Sequence, residues 1–177
     1  MNSYNYKKVL FAESQKLKQW WVWALLILIN ILFIGGCIAQ IGFGKQFGNN
    51  PLSNTGLVII TVVILLFSMI FFIARFETKI TVDGIYVRLV PFSKKYKFYP
   101  WEKLNNYYVR KYVPMKEYGG WGIRHKENEK DSAYTVSGDK GLQLEFKNNK
   151  KLLIGTNKEA ELKEALSKVE KLRNGQM

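Results

Sequence analysis

The sequence predicts an α+β chain in which a two-helix transmembrane hairpin is followed by a domain of antiparallel strands capped by one C-terminal amphipathic helix. Three observations carry this. Two apolar runs without a charged side chain, Trp20 to Ile41 and Gly56 to Ala74, each have about the 20 residues that a helix rising about 1.5 Å per residue needs to cross roughly 30 Å of hydrocarbon. Beyond Arg75, short segments alternate apolar and polar residues and are punctuated by Asp-Gly, Pro and Asn-Asn. From Leu162 onward the apolar residues recur at helical spacing instead.

Residues 1–19 come first. Tyr6, Val9, Leu10 and Leu17 fall near one side of a helix, with Lys7, Lys8, Lys16 and Lys18 elsewhere. This fits an amphipathic cytoplasmic segment lying on the headgroups, or a solvated helical extension. Trp20, Trp21 and Trp23 form an interfacial aromatic belt, because an indole with one polar N–H favours the water boundary. Together with Lys16, Lys18 and Arg75 they are the candidate membrane-interface residues.

The first span is read as 20–41 and the second as 56–74, joined by an extracytoplasmic loop, 42–55, rich in Gly, Asn and Ser. Two adjacent spans with a short loop mean an antiparallel helical hairpin. Asn30 is the strongly polar side chain near mid-span, and the hairpin places it at the depth of Leu65, within about a turn of Thr61 and Ser68. Asn30 and Ser68 are therefore the intramembrane polar candidates, joining the two helices or a second copy of the chain, and a homo-oligomer stays open. Gly35 and Ala39 form a small-xxx-small pair. Cys37, the single cysteine, excludes an intrachain disulfide. Ile34 to Cys37 also resembles a lipoprotein-type cleavage site, but the apolar run continues to Ile41 and a second span follows, which favours an uncleaved helix.

Charge sets the expected topology. The chain of 177 residues carries +13: four lysines and one glutamate before Trp20, Lys45 alone in the loop, and 22 basic against 13 acidic residues from Arg75 onward. Basic residues flanking both outer ends of the hairpin predict a multi-pass cell-membrane protein with both termini in the cytoplasm. The remaining 100 or so residues suffice for one small domain, 75–173.

In that domain Asp83-Gly84, flanked by Ile80, Val82 and by Ile85, Val87, Leu89, reads as a two-residue hairpin turn. Further strands are expected at Tyr96 to Tyr99, Asn106 to Val113, around Trp121 to Ile123, Ala133 to Ser137, Leu142 to Phe146 and Leu152 to Ile154, seven or eight in all. Asn148-Asn149 supplies a tight turn, and the last three strands are expected to form a meander. His125 to Ser132 lacks apolar residues and reads as a mobile loop tip. Leu162, Ala165, Leu166, Val169 and Leu172 line one face of the final helix, with Thr156 and Glu159 as a capping box and Asn174-Gly175 as its stop.

Particular residues add a resemblance: Ile80 to Ile85, Pro100-Trp101, Tyr112-Val113-Pro114, Glu117 to Arg124, Ala133-Tyr134, Val136-Ser137-Gly138 and Leu153 to Thr156. With the strand-then-helix order, these make the chain, over roughly residues 19 to 172, similar to the bacterial pleckstrin-homology-like (PH-like) domains of small uncharacterised membrane proteins with two amino-terminal spans. The resemblance implies a PH-like antiparallel β-barrel or sandwich of about seven strands closed by the C-terminal helix. It implies no catalytic residue and no cofactor, and the basic phosphoinositide-binding motif of eukaryotic members has no residue-by-residue match here.

The residues also limit the chemistry. His125 is the sole histidine and Cys37 lies in a span, so neither a catalytic triad nor a His/Cys metal cluster can be assembled, and the expectation is a non-enzyme without metal or cofactor. Glu117, Glu127, Glu129 and Asp131 lie among lysines as a solvated charge run. The candidate binding stretch is Tyr118, Gly119, Gly120, Trp121, Gly122 and Arg124, with Arg110 on an adjoining strand: glycines allow close backbone approach, Trp121 offers area and Arg124 a fixed cation for carboxylate or phosphate. The other reading of the same stretch is a bulge whose tryptophan plugs a barrel, with Arg124 paired internally.

A basic tail near an anionic leaflet gains about 1 kcal/mol per lysine, so membrane lipids are the expected counter-charge and no nucleic acid is expected. The functional expectation is a membrane-tethered cytoplasmic binding or scaffolding module for a protein partner, with anionic-lipid surface contact. The alternative is a ligand- or lipid-sensing or transport-accessory subunit of a larger membrane complex.

Overall fold

The computed structural model describes residues 8–125 and 131–175, which divide into two compact units. One runs from Gln19 to Ala74; the other combines the residues through Lys18 with those from Arg75 onward.

The first unit is a helical hairpin. Helix α1 spans Trp20–Cys37 and passes into a π-helical turn, Ile38–Gly42; α2 spans Asn54–Ile73, with Ser53 Oγ accepting from the Gly56 N–H at 3.2 Å as its N-cap. Both helices are long and apolar enough to cross a membrane, and leave most of their large apolar side chains exposed. Asn30 Nδ2 donates to Ser68 Oγ at 2.8 Å and to the Leu26 carbonyl at 2.7 Å, and Cys37 Sγ lies 3.2 Å from Thr61 Oγ1. The close approach expected at Gly35 and Ala39 belongs to the next residue along. A Cβ on Gly35 would meet nothing within 4 Å, whereas one on Gly36 would lie 2.8 Å from the Phe47 ring, which the loop folds back onto α1. Gln40 fixes that loop, donating to the Leu52 carbonyl at 2.7 Å and accepting from the Phe47 N–H at 3.2 Å.

The second unit begins with the largest departure from expectation. Val9–Lys16, expected as part of a separate amphipathic segment, is strand β1, paired antiparallel with β2 (Arg75–Thr81) in a register that sets Lys16 opposite Arg75. The reason is chemical. Phe11, Glu13 and Gln15 alternate inward, but two of the three are polar, so the period-2 hydrophobic signal is missing. Tyr6 and Lys7, part of the expected helical pattern, lie outside the described residues. The helical hairpin is thus inserted between two neighbouring strands of one sheet, joined to them by residues 17–19 on one side and residue 74 on the other.

From β2 the chain continues through β3 (Gly84–Val90) and β4 (Lys97–Pro100), giving a four-stranded antiparallel sheet in the order β1-β2-β3-β4. The β2–β3 turn sits one residue earlier than expected, at Val82-Asp83, since Ile80 pairs with Ile85. Gly84 lies inside β3 opposite Pro100, where a Cβ would collide with the Tyr99 carbonyl oxygen. Trp101 follows in a 3-10 turn, buried, its Nε1–H donating to the Thr81 carbonyl at 3.0 Å.

The second sheet holds β5 (Leu104–Lys111), β6 (Gly122–His125), β7 (Asp131–Thr135), β8 (Lys140–Phe146) and β9 (Lys151–Thr156), in the order β5-β8-β9-β7-β6. Asn149, at φ 62°, makes the expected β8–β9 turn. The expected meander is corrected: β7 lies beside β9 in parallel, not beside β8. There are nine strands among the described residues, and they form two sheets rather than a closed barrel. Of the expected loop tip, His125 ends β6 and Asp131-Ser132 begin β7, while residues 126–130, with Glu127 and Glu129, lie outside the described residues.

Helix α4 (Glu159–Arg173) packs chiefly on β1 and β2, burying Leu162, Ala165, Leu166 and Val169 in the same cluster as Phe11, Phe76, Ile80, Ile85, Leu144 and Ile154. The expected capping box does not form. Thr156 closes β9, and its hydroxyl donates to Glu13 Oε2 at 2.6 Å while Glu13 Oε1 accepts from the Asn157 N–H at 2.9 Å. The carboxylate of β1 thereby holds the turn between β9 and α4, whose N-cap, Lys158, has no side-chain cap hydrogen bond. Gln15 adds a second tie, its Nε2 donating to the Gly155 carbonyl at 2.7 Å.

Candidate functional site

The stretch singled out in the sequence is built on a short helix. After β5, Pro114 opens α3 (Pro114–Tyr118), a position where the missing N–H costs nothing. Gly119, at φ 68°, ends it, its N–H donating to the Met115 carbonyl at 3.1 Å while the Gly120 N–H donates to the Pro114 carbonyl at 2.9 Å. The glycines thus serve a helix C-cap and the turn into β6.

Glu117 turns back from α3, taking the Val113 N–H on Oε1 at 2.8 Å and pairing through Oε2 with Arg110 at 2.8 Å. Arg110 also donates to Gln143 Oε1 at 3.0 Å, to the Lys111 carbonyl at 3.1 Å and to the Tyr118 hydroxyl at 3.4 Å. Burial acts to lower the Arg110 pKa, but the Glu117 carboxylate outweighs it and the guanidinium is held more firmly protonated. Arg110 and Tyr118 therefore brace β5, α3 and β8 together.

Trp121 is half-buried, its Nε1–H donating to the Gly138 carbonyl at 3.0 Å, and it is not a core plug. Arg124 is exposed on β6 with no partner among the described residues. The predicted group divides: Arg110 and Tyr118 are internal, and Arg124 faces solvent.

The interface candidates are similarly distributed. Trp20 and Trp21 are exposed at the start of α1, and Trp23 meets Phe72 edge-on at 6.2 Å. Lys16 and Lys18 are exposed. Arg75 is engaged, its Nε 2.8 Å from Glu77 Oε1. Glu77 Oε2 also takes Arg88 at 2.6 Å and the Tyr96 hydroxyl at 2.5 Å. Burial acts to raise the Glu77 pKa, but donation from Tyr96, Arg75 and Arg88 outweighs it and pulls the pKa down to about 2.

A second site lies where sequence reasoning did not look. A cleft of about 620 Å³ opens beside β4, the 3-10 turn, the β6–β7 ends and the β8–β9 turn. Lys97, Lys103, Lys150 and Lys151 line it together with Tyr99, Tyr134 and Phe146, and no carboxylate does among the described residues. Lys151 Nζ reaches Glu145 at 3.5 Å, whereas Lys97, Lys103 and Lys150 have no acidic partner among the described residues. Lys97 Nζ sits 3.4 Å from the Tyr134 hydroxyl and 5.4 Å from the centre of the Tyr99 ring. Tyr99 packs at 5.6 Å from Phe146, and burial, aided by Tyr134, raises its pKa so that the phenol stays neutral. His125 Nδ1 and Ser132 Oγ, 2.8 Å apart, close one side. The arrangement can hold an anion beside an apolar wall. It offers no metal set, since no group of three His, Cys, Asp or Glu side chains converges among the described residues. The one hint in the sequence is the basic β8–β9 turn, Lys147 to Lys151; Lys97 and Lys103 join it only in three dimensions.

A family model, described as a family of unknown function (DUF6141), matches residues 5–170. The chain belongs to this family. The match takes in β1, both apolar helices, all nine strands and most of α4, so the DUF6141 unit is the interrupted sheet with its inserted hairpin rather than the C-terminal domain alone. Comparison with curated proteins and with solved structures gives no match.

Proposed function

We propose that this chain is a two-span membrane protein that presents a PH-like binding or scaffolding domain to the cytoplasm, in contact with anionic lipid and a protein partner, and that it is not an enzyme. The observation that carries this reading is the β1–β2 pairing around the hairpin, with Lys16 opposite Arg75. Strands that share hydrogen bonds share a compartment. The two outer ends of the hairpin therefore belong on one side of the bilayer, as an even number of spans requires. The lysines and arginines at those ends, against Lys45 alone in the loop, make that side the cytoplasm. Short connections, residues 17–19 and residue 74, keep the basic domain within reach of the headgroups, where its charge finds counter-ions. Two antiparallel-rich sheets that share one core with a C-terminal helix are compatible with the PH-like layout.

The test is a cysteine-accessibility scan in a Cys37→Ser background. Cysteines at Ser14 and Lys116 should react with an impermeant maleimide only after the membrane is opened, and one at Asn49 should react in intact cells. Labelling of Ser14→Cys or Lys116→Cys in intact cells overturns the topology.

A further inference from the structure

We propose that the cleft bounded by Lys97, Lys103, Lys150 and Lys151 is a binding site for a phosphate-bearing ligand, whose organic part lies against Tyr99 and Phe146. The inference rests on the geometry of the domain alone and does not depend on which side of a membrane the domain occupies.

Charge selects an anion. Four lysines line one concavity, and three of them have no carboxylate partner among the described residues. An anion in the cleft supplies that partner, in a concavity whose low-dielectric wall strengthens each interaction. The cations point to phosphate rather than to a planar carboxylate. They are lysines, compact point charges carried on separate segments: β4, the 3-10 turn, the β8–β9 turn and β9. Such an array of point charges suits a tetrahedral group that presents several charged oxygens in different directions, and the arginine fork that binds carboxylate or phosphate bidentately is absent from the lining. The one exposed arginine of the predicted stretch, Arg124, does not line the cleft.

The wall selects the rest of the ligand. Tyr99, Tyr134 and Phe146 give apolar area next to the lysines, and the tyrosine hydroxyls and the His125–Ser132 pair supply hydrogen-bonding groups at its edge. A volume of about 620 Å³ is that of a small-molecule site, larger than a bare ion needs. Phosphate esters meet this description whether they are soluble or are lipid headgroups with their first apolar atoms.

The test uses the full chain in nanodiscs, where both faces are accessible and topology does not enter. In phosphatidylcholine discs, inorganic pyrophosphate should protect Lys103 and Lys150 from amine acylation and raise the melting temperature of the domain. K103E/K150E should weaken this by about tenfold per lysine, the loss of one charge-assisted hydrogen bond each. K116E/K171E changes the net charge equally outside the cleft and should leave binding intact. K103Q/K150Q repeats the test without charge reversal in case the first variant is poorly folded.

Discs containing phosphatidic acid identify the source. Protection of Lys103 and Lys150 without added solute supports a lipid headgroup, and protection by pyrophosphate alone supports a soluble phosphate compound. Absence of protection in both arms, or equal weakening by K116E/K171E, overturns the proposal in favour of diffuse surface charge. Because the cysteine scan reads sidedness and this experiment reads site occupancy, either can fail while the other stands.

Discussion

Glu13 and Thr156 meet at 2.6 Å although 143 positions separate them, and through this contact the strand before the helical hairpin holds the turn into the last helix. Glu13 is buried, and its second oxygen takes the Asn157 N–H. Glu13→Ala leaves both donors without their acceptor and should cost about 2 kcal/mol. Thermal unfolding of the full chain in detergent checks this; an unchanged midpoint would show that β1 is dispensable to the β9–α4 turn.

Gly84→Ala should cost about 2 kcal/mol for a different reason. The new methyl would press on the Tyr99 carbonyl oxygen and come within 2.9 Å of Pro100 Cα, both backbone atoms of β4 that cannot rotate away. Denaturant unfolding reads the loss, and Gly42→Ala, where a Cβ meets nothing within 4 Å, is the neutral control.

Acid should find its weak point at Glu77. Its pKa is held at about 2 in the folded chain, below the ordinary 4.5, by Tyr96, Arg75 and Arg88 against the opposing effect of burial. A depressed carboxylate stabilises the fold fully above its ordinary pKa, and that stability is lost as pH falls toward the folded value. Melting temperatures measured from pH 4.5 down toward 2 should fall more steeply for the native chain than for Glu77→Gln. Parallel slopes would remove Glu77 as the cause.

Arg110 and Arg124 should behave oppositely. Arg110→Ala strips four acceptors of a shared donor, Glu117 among them, and should lower stability by about 1–3 kcal/mol. Arg124→Ala should leave the melting temperature unchanged, and recovery of crosslinked partners from the native membrane then reports whether this exposed cation is used. A destabilised Arg124→Ala would mean it is part of the fold.

In the hairpin, Asn30→Leu should weaken helix association by about 0.6 kcal/mol, the usual worth of one interhelical hydrogen bond in a membrane protein. Ser68→Ala should give a similar loss, and the double variant little more, because Asn30 Nδ2 and Ser68 Oγ form one bond. Unfolding of the four chains in mixed micelles provides the cycle.

What the sequence made legible were elements whose pattern is local. The spans show as uncharged runs, α4 as apolar residues at helical spacing, and β8–β9 as alternation around Asn148-Asn149. Strand β1 was hidden because Glu13 and Gln15 face inward, and what makes them tolerable there, Thr156 and Gly155, lies at the other end of the chain. Gly119 was seen as permissive backbone, but its use as a helix cap depends on the Pro114 turn before it. The lysine cleft was illegible for a third reason: Lys97 and Lys103 join the β8–β9 turn only after both sheets have formed.

The interrupted sheet also imposes an order on biogenesis. Val9–Lys16 leaves the ribosome first, yet its partner Arg75–Thr81 follows only after both apolar helices have been made. During that interval β1 is an unpaired edge carrying Phe11, Glu13 and Gln15, and the domain behind it cannot close its core. Synthesis of both apolar helices thereby precedes closure of the sheet. A chain cut at Arg75 would lack the first strand, whereas one that joins Lys16 to Arg75 through a short turn keeps all nine described strands and is the form to make when the domain is wanted without its hairpin.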